Sequence, residues 1–176
     1  MSASRSIFST LNKNDCQILE QMTSKTNKFS LNGYKTFAKC VHVYDGDTIH
    51  VVFKMPNSNE CYKWIIRMIG IDTPEMKTKN TYEKQLAIKA RDFLRNLILD
   101  KIIVIECLDF DKYGRLLGDI YVEGNEMSMS NQLIEKGYAK AYDGGTKSKW
   151  GNGESESIET INGVESISND ISSTNK

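Results

Sequence analysis

The middle of the chain alternates short runs of β-branched and aromatic residues with turn signals, which indicates a core built of strands. Strand-like runs extend over residues 37–44 and 48–54, on either side of Asp45-Gly46-Asp47. An Asp-Gly pair between two such runs is typical of a hairpin turn. A third strand is predicted over residues 62–71. It is apolar on both faces except for Arg67, so we expect it to be buried from two sides.

A helix is predicted after the third strand, because apolar side chains recur there at every third or fourth position. These side chains are Leu86, Ala90, Phe93, Leu94, Leu97 and Ile98. Asn80 and Glu83 form a variant of the capping box, which places the start of the helix. Two more strands are predicted over residues 102–109 and 116–122, and a short helix over residues 128–136 ends at Gly137.

The predicted order of three strands, a helix, two strands and a helix indicates an α+β fold. Five short strands with one long helix between the third and the fourth are typical of the OB-fold. That fold is a partly open, mostly antiparallel barrel whose surface commonly binds oligonucleotides. The element pattern fits a small α+β sandwich about as well.

Composition separates this middle segment, residues 34–150, from two flanking segments. Residues 1–33 are rich in Ser, Thr, Asn and Lys, and we expect an N-terminal extension with one short helix capped by Asp15. Residues 151–176 carry five acidic side chains against Lys176 and show no apolar period, which predicts a disordered acidic tail. The tail has a net charge of −4, so the rest of the chain carries +4, which is compatible with a polyanionic partner.

Several classes of protein are excluded by the remaining composition. No apolar run approaches the roughly 20 residues that would span a bilayer, so we expect no membrane partner. The first twenty residues contain no secretory signal pattern, and we expect an intracellular protein. The four cysteines form no C-x-x-C pair, so neither a zinc site nor a disulfide framework is indicated, and we expect reduced, mostly buried thiols.

Charged side chains cluster near the ends of the predicted strands. They are Asp45, Asp47, Arg67, Asp72, Glu75 and Arg115. Residues at strand ends can meet at one rim of a barrel although they are distant in sequence. Carboxylates with a main-chain carbonyl suit Ca²⁺ or Mg²⁺, and two guanidiniums suit a phosphate. The set therefore suits the hydrolysis of a phosphodiester.

Each of these segments has a purely structural alternative when it is taken alone. Asp45-Gly46-Asp47 is more often a hairpin turn, and Asp72-Thr73-Pro74-Glu75 is more often a turn or a helix start. Arg67 can pair with a core carboxylate, and residues 111–115 can form a solvated loop. Their joint occurrence, in a defined order on a matching pattern of elements, favours the functional interpretation.

Three runs closely resemble the signatures of the staphylococcal nuclease (thermonuclease) family, which are OB-fold phosphodiesterases. They are Val43-Tyr44-Asp45-Gly46-Asp47-Thr48, Arg67-Met68-Ile69-Gly70-Ile71-Asp72-Thr73-Pro74-Glu75 and Asp111-Lys112-Tyr113-Gly114-Arg115. Residues 133–140 resemble that family's second helix and its exit. The resemblance covers residues 34–142.

The resemblance implies a calcium-dependent endonuclease that hydrolyses DNA, with RNA as a further candidate. Asp47 and Asp72 would hold Ca²⁺ through their carboxylates and Thr73 through its main-chain oxygen. Glu75 would be the general base toward the attacking water, and Asp45 would belong to the acidic surroundings of the metal.

The substrate contacts implied by the resemblance lie on three segments. Arg67 and Arg115 would clamp the phosphate. Tyr113 and Tyr142 would line the nucleotide pocket, and stacking on them tolerates any base, so we expect little sequence preference. Lys112 would contact a phosphate, although simple solvation of this loop lysine is an equal alternative. We expect a monomer that prefers single-stranded or frayed substrate.

The sequence departs from the family pattern after Tyr142. Bacterial members continue into a long third helix, whereas Asp143-Gly144-Gly145-Thr146-Lys147 leads here to Trp150. We therefore expect part of the pocket wall to be missing or rebuilt. Two alternatives to a nuclease stay open: a non-catalytic nucleic-acid or protein-binding module of the same fold, and a small OB-fold translation or recombination factor. Binding alone requires no general base, so the presence of Glu75 favours the nuclease.

Overall fold

The computed structural model describes residues 12–151. The predicted acidic tail beyond residue 151 and the first eleven residues of the predicted extension lie outside the described residues. The elements are α1 (Lys13–Leu19), β1 (Lys35–Val43), β2 (Thr48–Lys54), β3 (Cys61–Met68), β4 (Ile71–Asp72), α2 (Thr81–Ile98), β5 (Ile102–Phe110), β6 (Leu116–Tyr121), α3 (Met129–Glu135) and β7 (Lys140–Ala141).

Five strands close into a barrel in the order β1-β2-β3-β6-β5. The neighbouring strands are antiparallel, except for β3 and β6, which run parallel. β1 pairs with both β2 and β5, and a β-bulge between Cys40 and His42 bends it between its two partners. The predicted OB-fold of class α+β, with its long helix between the third and fourth barrel strands, is confirmed.

The third strand differs from its prediction. It ends at Met68, and the chain bends at Gly70, whose φ of +74° favours glycine, before Ile71 and Asp72 pair with β7 in a separate two-stranded sheet. Burial from two sides is wrong, because Tyr62 is 49% exposed and Ile65 is 43% exposed. The sequence does not show this bend, because apolar residues continue on both sides of it and have the pattern of one strand.

A side-chain cap marks the start of each of the three helices in residues 12–151. Asn80 accepts hydrogen bonds from the amides of Tyr82 and Glu83 at the start of α2, and the buried face of that helix is Ala87, Ala90, Leu94 and Ile98. Ser128 caps α3 in the same way, and Gly137 follows its end with a φ of +70°. The predicted cap of α1 is wrong, because Asn12 accepts from the amide of Asn14 and the helix already begins at Lys13.

The core fills the barrel and the space below α2. Its largest fully buried side chains include Ile49, Ile66, Leu94, Ile105 and Leu116. Leu31, within the predicted extension, is only 3% exposed and packs in this core. All four cysteines are free, two of them buried, and none of the helices within residues 12–151 is long and apolar enough to cross a bilayer.

Candidate active site

The β1–β2 connection, the end of β3, the segment after β4 and the β5–β6 hairpin meet around one pocket of about 420 Å³. Nine of the residues singled out in the sequence line it: Asp45, Asp47, Arg67, Thr73, Glu75, Lys112, Tyr113, Arg115 and Tyr142. The tenth, Asp72, is only 3% exposed and is linked to the pocket through Lys147, which also lines it. The fold thus gathers side chains that are up to about a hundred residues apart in sequence.

Gly46 sets the position of the β1–β2 connection. A Cβ atom on this residue would lie 2.9 Å from Thr73 Cγ2 and 3.0 Å from Ala90 Cβ. The glycine is therefore required for close packing against α2 and the segment after β4, while its φ lies outside the left-handed region. This close approach brings Asp47 next to Thr73.

The carboxylate of Asp47 is buried and held by three neighbours. Its Oδ1 accepts a hydrogen bond of 2.9 Å from Thr48 Oγ1, and its Oδ2 accepts one of 2.8 Å from Thr73 Oγ1. Arg67 forms an ion pair with the same Oδ2 and donates to the carbonyl oxygen of Ile71 at 3.0 Å. Arg67 therefore does pair with a carboxylate, and that carboxylate belongs to the pocket rather than to the hydrophobic core.

Asp45 lies beside Asp47 in the same connection. Its burial and, next, the negative charge of Asp47 raise the pKa of Asp45 to about 6. The Oδ1 of Asp45 accepts a hydrogen bond of 3.1 Å from the amide of Asp47, which fixes the connection. The pocket thus concentrates negative charge in a place where water is partly excluded.

The β5–β6 hairpin orients Arg115 through Asp111, a residue to which the sequence analysis gave no role. Asp111 Oδ2 accepts from Arg115 Nε at 2.7 Å, and Oδ1 accepts from the amides of Tyr113 and Arg115 at 2.8 and 2.9 Å. Gly114 has a φ of +79°, a conformation that favours glycine. In the sequence, the signal for this arrangement is the occurrence of Asp111, Gly114 and Arg115 within one five-residue loop.

Lys147 is the second residue of the site that the sequence analysis did not identify. Its Nζ lies 2.8 Å from Asp72 Oδ1 and 2.8 Å from Glu75 Oε1. Burial alone would lower the pKa of Lys147, but the contacts with Asp72 and Glu75 outweigh burial and raise it. A lone lysine in a Gly- and Ser-containing segment carries no pattern from which this contact could be predicted.

The segment that contains Lys147 folds back over the site. We call residues 143–150 the strap. Tyr142 donates its hydroxyl to the carbonyl oxygen of Gly145 at 2.8 Å, and Lys140 Nζ donates to the carbonyl oxygen of Lys149 at 2.9 Å. The same ammonium lies 4.5 Å from the ring centroid of Trp150, in a cation–π contact. Through Lys147, the strap thus contributes to the wall of the charged pocket.

An apolar pocket of about 540 Å³ adjoins the charged one. Ile69, Ile71 and Leu117 contribute to its wall, and the two pockets share Tyr113 and Tyr142. Tyr113 is 73% exposed, so most of its side chain is accessible to a ligand. A phosphate in the charged pocket and a base against the aromatic wall could therefore belong to one nucleotide.

The donor atoms fit a hard divalent cation. The carboxylates of Asp47 and Asp72 are buried, and the ammonium of Lys147 lies 2.8 Å from Asp72 Oδ1. Oxygen ligands of this kind suit Ca²⁺ or Mg²⁺. Within residues 12–151 no group of three or more His, Cys, Asp or Glu side chains forms a candidate metal cage.

Comparison with known proteins gives concordant results. A sequence profile described as "Staphylococcal nuclease homologue" matches residues 65–160, more than half of the chain. A protein from Methanocaldococcus jannaschii described as uncharacterized is 30% identical over 171 residues, which cover 77% of this chain and 78% of that protein. A thermonuclease from Staphylococcus hyicus is 33% identical over 105 residues, covering 58% and 57%, and an uncharacterized endonuclease from Escherichia coli O157:H7 is 29% identical over 105 residues, covering 60% of each. The chain therefore spans somewhat under two thirds of each of these two nuclease-named relatives.

Proposed function

Because this chain belongs to the staphylococcal nuclease homologue family, we propose that it is a nuclease, a hydrolase that cleaves the phosphodiester bonds of nucleic acid. The observation that carries the proposal is the convergence of three carboxylates and two guanidiniums around one pocket. They are Asp47, Asp72, Glu75, Arg67 and Arg115. A module that only binds a polyanion would gain nothing from carboxylates placed against the phosphate.

The proposed cofactor is Ca²⁺, held by the carboxylates of Asp47 and Asp72 and by the main-chain oxygen of Thr73. When bound, Ca²⁺ would offset the charge that builds on the phosphoryl oxygens. The support for these ligands is the burial of both carboxylates and the hydrogen bond from Thr73 Oγ1 that fixes Asp47 Oδ2. Asp45 adds negative charge behind Asp47.

Glu75 is the proposed general base. Its side chain is 59% exposed and faces the pocket, so a water molecule can reach it. The carboxylate takes a proton from the attacking water as the water oxygen bonds to phosphorus, and the bond from phosphorus to the leaving oxygen breaks. The amide of Glu75 donates to Glu83 Oε1 at 3.2 Å, which ties the base to the first turn of α2.

Arg67 and Arg115 are the proposed phosphate clamps. A guanidinium stays protonated at any working pH and binds phosphate bidentately, and it stabilises charge that increases in the transition state. Arg115 side-chain exposure is 33%, whereas Arg67 is 12% exposed and already engaged with Asp47. Arg115 is therefore the clamp that can be tested without disturbing a buried ion pair.

The proposed substrate is single-stranded or frayed DNA, with RNA as a further candidate, cut with little sequence preference. Tyr113 and Tyr142 offer ring faces beside the charged pocket, and stacking on an aromatic ring tolerates every base. Lys112 lies on the same rim, with its Nζ 5.0 Å from the ring centroid of Tyr113. We also propose a monomer, because one chain supplies every residue of the pocket, and light scattering tests this.

The test is digestion of single-stranded DNA, duplex DNA and RNA in Ca²⁺, Mg²⁺ or chelator. We expect cleavage in Ca²⁺ and none in chelator. Glu75→Gln keeps the size of the side chain but removes the basic lone pair, so turnover should fall by about 10² or more while the affinity for a nucleotide bisphosphate changes little. Glu126→Gln, at an exposed position outside the pocket, is the matched control.

Two results would contradict the proposal. Full activity in chelator would remove the metal from the mechanism. Binding of nucleic acid without cleavage in any of these conditions would favour the non-catalytic module of the same fold.

A further inference from the structure

Lys147 occupies the space between two carboxylates that the proposed function uses for different tasks. Its Nζ lies 2.8 Å from Asp72 Oδ1, a proposed metal ligand, and 2.8 Å from Glu75 Oε1, the proposed base. The Asp72 side chain is 5% exposed. Without the ammonium of Lys147, its buried Oδ1 would carry a charge that no hydrogen bond within residues 12–151 balances, which is costly.

The strap holds Lys147 in this position by contacts on both sides of it. Before Lys147, the Tyr142 hydroxyl donates to the carbonyl oxygen of Gly145. After Lys147, the ammonium of Lys140 binds the carbonyl oxygen of Lys149 and lies over the ring of Trp150. Lys140 itself is in β7, paired with Asp72 of β4. The strap is therefore anchored to the same small sheet that carries the metal ligand.

An ammonium and a divalent cation compete for the same oxygen. Both are attracted by the negative charge of Asp72, and a metal ion and an ammonium cannot both lie against one buried carboxylate oxygen without strong repulsion. Lys147 is 47% exposed, so it can swing into solvent when a stronger cation arrives. Its ammonium also pairs with Glu75 at 2.8 Å, so a move of Lys147 into solvent would break both ion pairs.

We propose that Lys147 is an internal competitor of the metal, which neutralises Asp72 and Glu75 in the free protein and must leave before a divalent cation binds. This inference rests on the proposed function, because it takes Asp72 as a metal ligand. Metal binding then does two things at once: it replaces the ammonium at Asp72 and breaks the ion pair of Lys147 with Glu75. Because the strap holds Lys147 in place, it sets the concentration of divalent cation at which metal replaces the ammonium.

The test is a calorimetric titration of the metal-free, full-length protein with Ca²⁺, at fixed ionic strength and without nucleic acid. Lys147→Ala should bind Ca²⁺ about five- to tenfold more tightly than the wild type, because no ammonium has to be displaced. Lys149→Ala removes the same charge from the same strap at an exposed position, where Lys149 forms no ion pair with residues 12–151. This control should change the affinity less than twofold.

A second measurement tests the contact without metal. In chelator, Lys147→Ala should lower the melting temperature of the wild type, but it should have little effect on Asp72→Asn, where no buried charge is left to neutralise. Equal effects in both backgrounds would show that Lys147 does not stabilise Asp72, and would overturn the inference.

The failures of the two proposals are distinguishable. If the wild type binds Ca²⁺ and cleaves, but Lys147→Ala and Lys149→Ala bind Ca²⁺ alike, the inference fails and the proposed nuclease stands. If neither the wild type nor any variant binds Ca²⁺, the proposed metal site fails and the inference fails with it.

Discussion

Replacing Asp111 by Asn tests whether Arg115 is oriented before the substrate arrives. The substitution keeps a carbonyl oxygen for the two backbone amides that Asp111 Oδ1 accepts from, Tyr113 and Arg115. It places an amide NH₂ where Oδ2 accepts from Arg115 Nε at 2.7 Å. Two donors then face each other, so the guanidinium loses its orientation while the loop keeps its main-chain hydrogen bonds.

The expected magnitude follows from this contact and its exposure. A hydrogen bond between charged groups contributes about 1.5–3 kcal/mol, but Arg115 is 33% exposed, and solvent screening reduces the loss of stability to about 1 kcal/mol. Complete loss of one charge-stabilising donor costs a factor of about 10² to 10³ in turnover. A disordered guanidinium still visits the phosphate, so we expect a fall of about tenfold.

The assay combines urea unfolding with steady-state cleavage at fixed salt, since phosphate contacts are salt-dependent. Asp92→Asn is the matched control. Asp92 accepts from two nitrogen atoms of Arg91, and this pair lies on the surface of α2, outside the pocket. This control should leave turnover unchanged. Asp111→Asn and Arg115→Lys should be strongly non-additive. Wild-type turnover in Asp111→Asn, or simple additivity of the two changes, would refute the orienting role.

The same carboxylate predicts a dependence of stability on pH. Burial alone would raise the pKa of Asp111, but hydrogen bonds from Arg115 and Tyr113 outweigh burial and lower it below its ordinary value of 3.8. A carboxyl group with a lowered pKa stabilises the fold above its ordinary pKa, and this contribution is lost as the pH falls through the lowered value. The stability difference between wild type and Asp111→Asn should therefore be present at pH 7 and should close in strong acid.

Three further substitutions test the fold and the substrate surface. Gly46→Ala should destabilise the protein by about 1–3 kcal/mol in urea unfolding, because its methyl group would meet Thr73 and Ala90 at 3.0 Å or less; unchanged stability would contradict the close packing. Leu94→Ala should cost about 2–5 kcal/mol in the same assay, since the side chain is 0% exposed. Tyr113→Ala should leave the melting temperature unchanged and weaken binding of single-stranded DNA by about 1–3 kcal/mol, and a large loss of stability would contradict its exposed position.

Most of the fold could be predicted from local sequence patterns. The cap at Asn80 and the glycine at position 137 mark helix ends through contacts between near neighbours, and the structure confirms both. The predicted helix over residues 128–136 is confirmed as α3, which Ser128 caps. The five barrel strands were visible as short apolar runs, because the side chains that each strand buries lie close together in the sequence. The bend at Gly70 was not, because Ile69 and Ile71 on either side of it continue the apolar run, and only the pairing of β3 with β6 and of β4 with β7 separates the two strands.

The charged residues of the site were predictable for a different reason. They were recognisable in the sequence because they form compact runs, such as Asp72-Thr73-Pro74-Glu75, whose order matches the elements that carry them. Their roles in catalysis remain predictions. What required the tertiary structure were contacts between distant segments: the pairing of Arg67 with Asp47 and the insertion of Lys147 between Asp72 and Glu75. An ion pair between residues more than seventy positions apart leaves no periodicity in the chain, since the pairing of β4 with β7 and the path of the strap, and not local propensity, bring Lys147 to its partners.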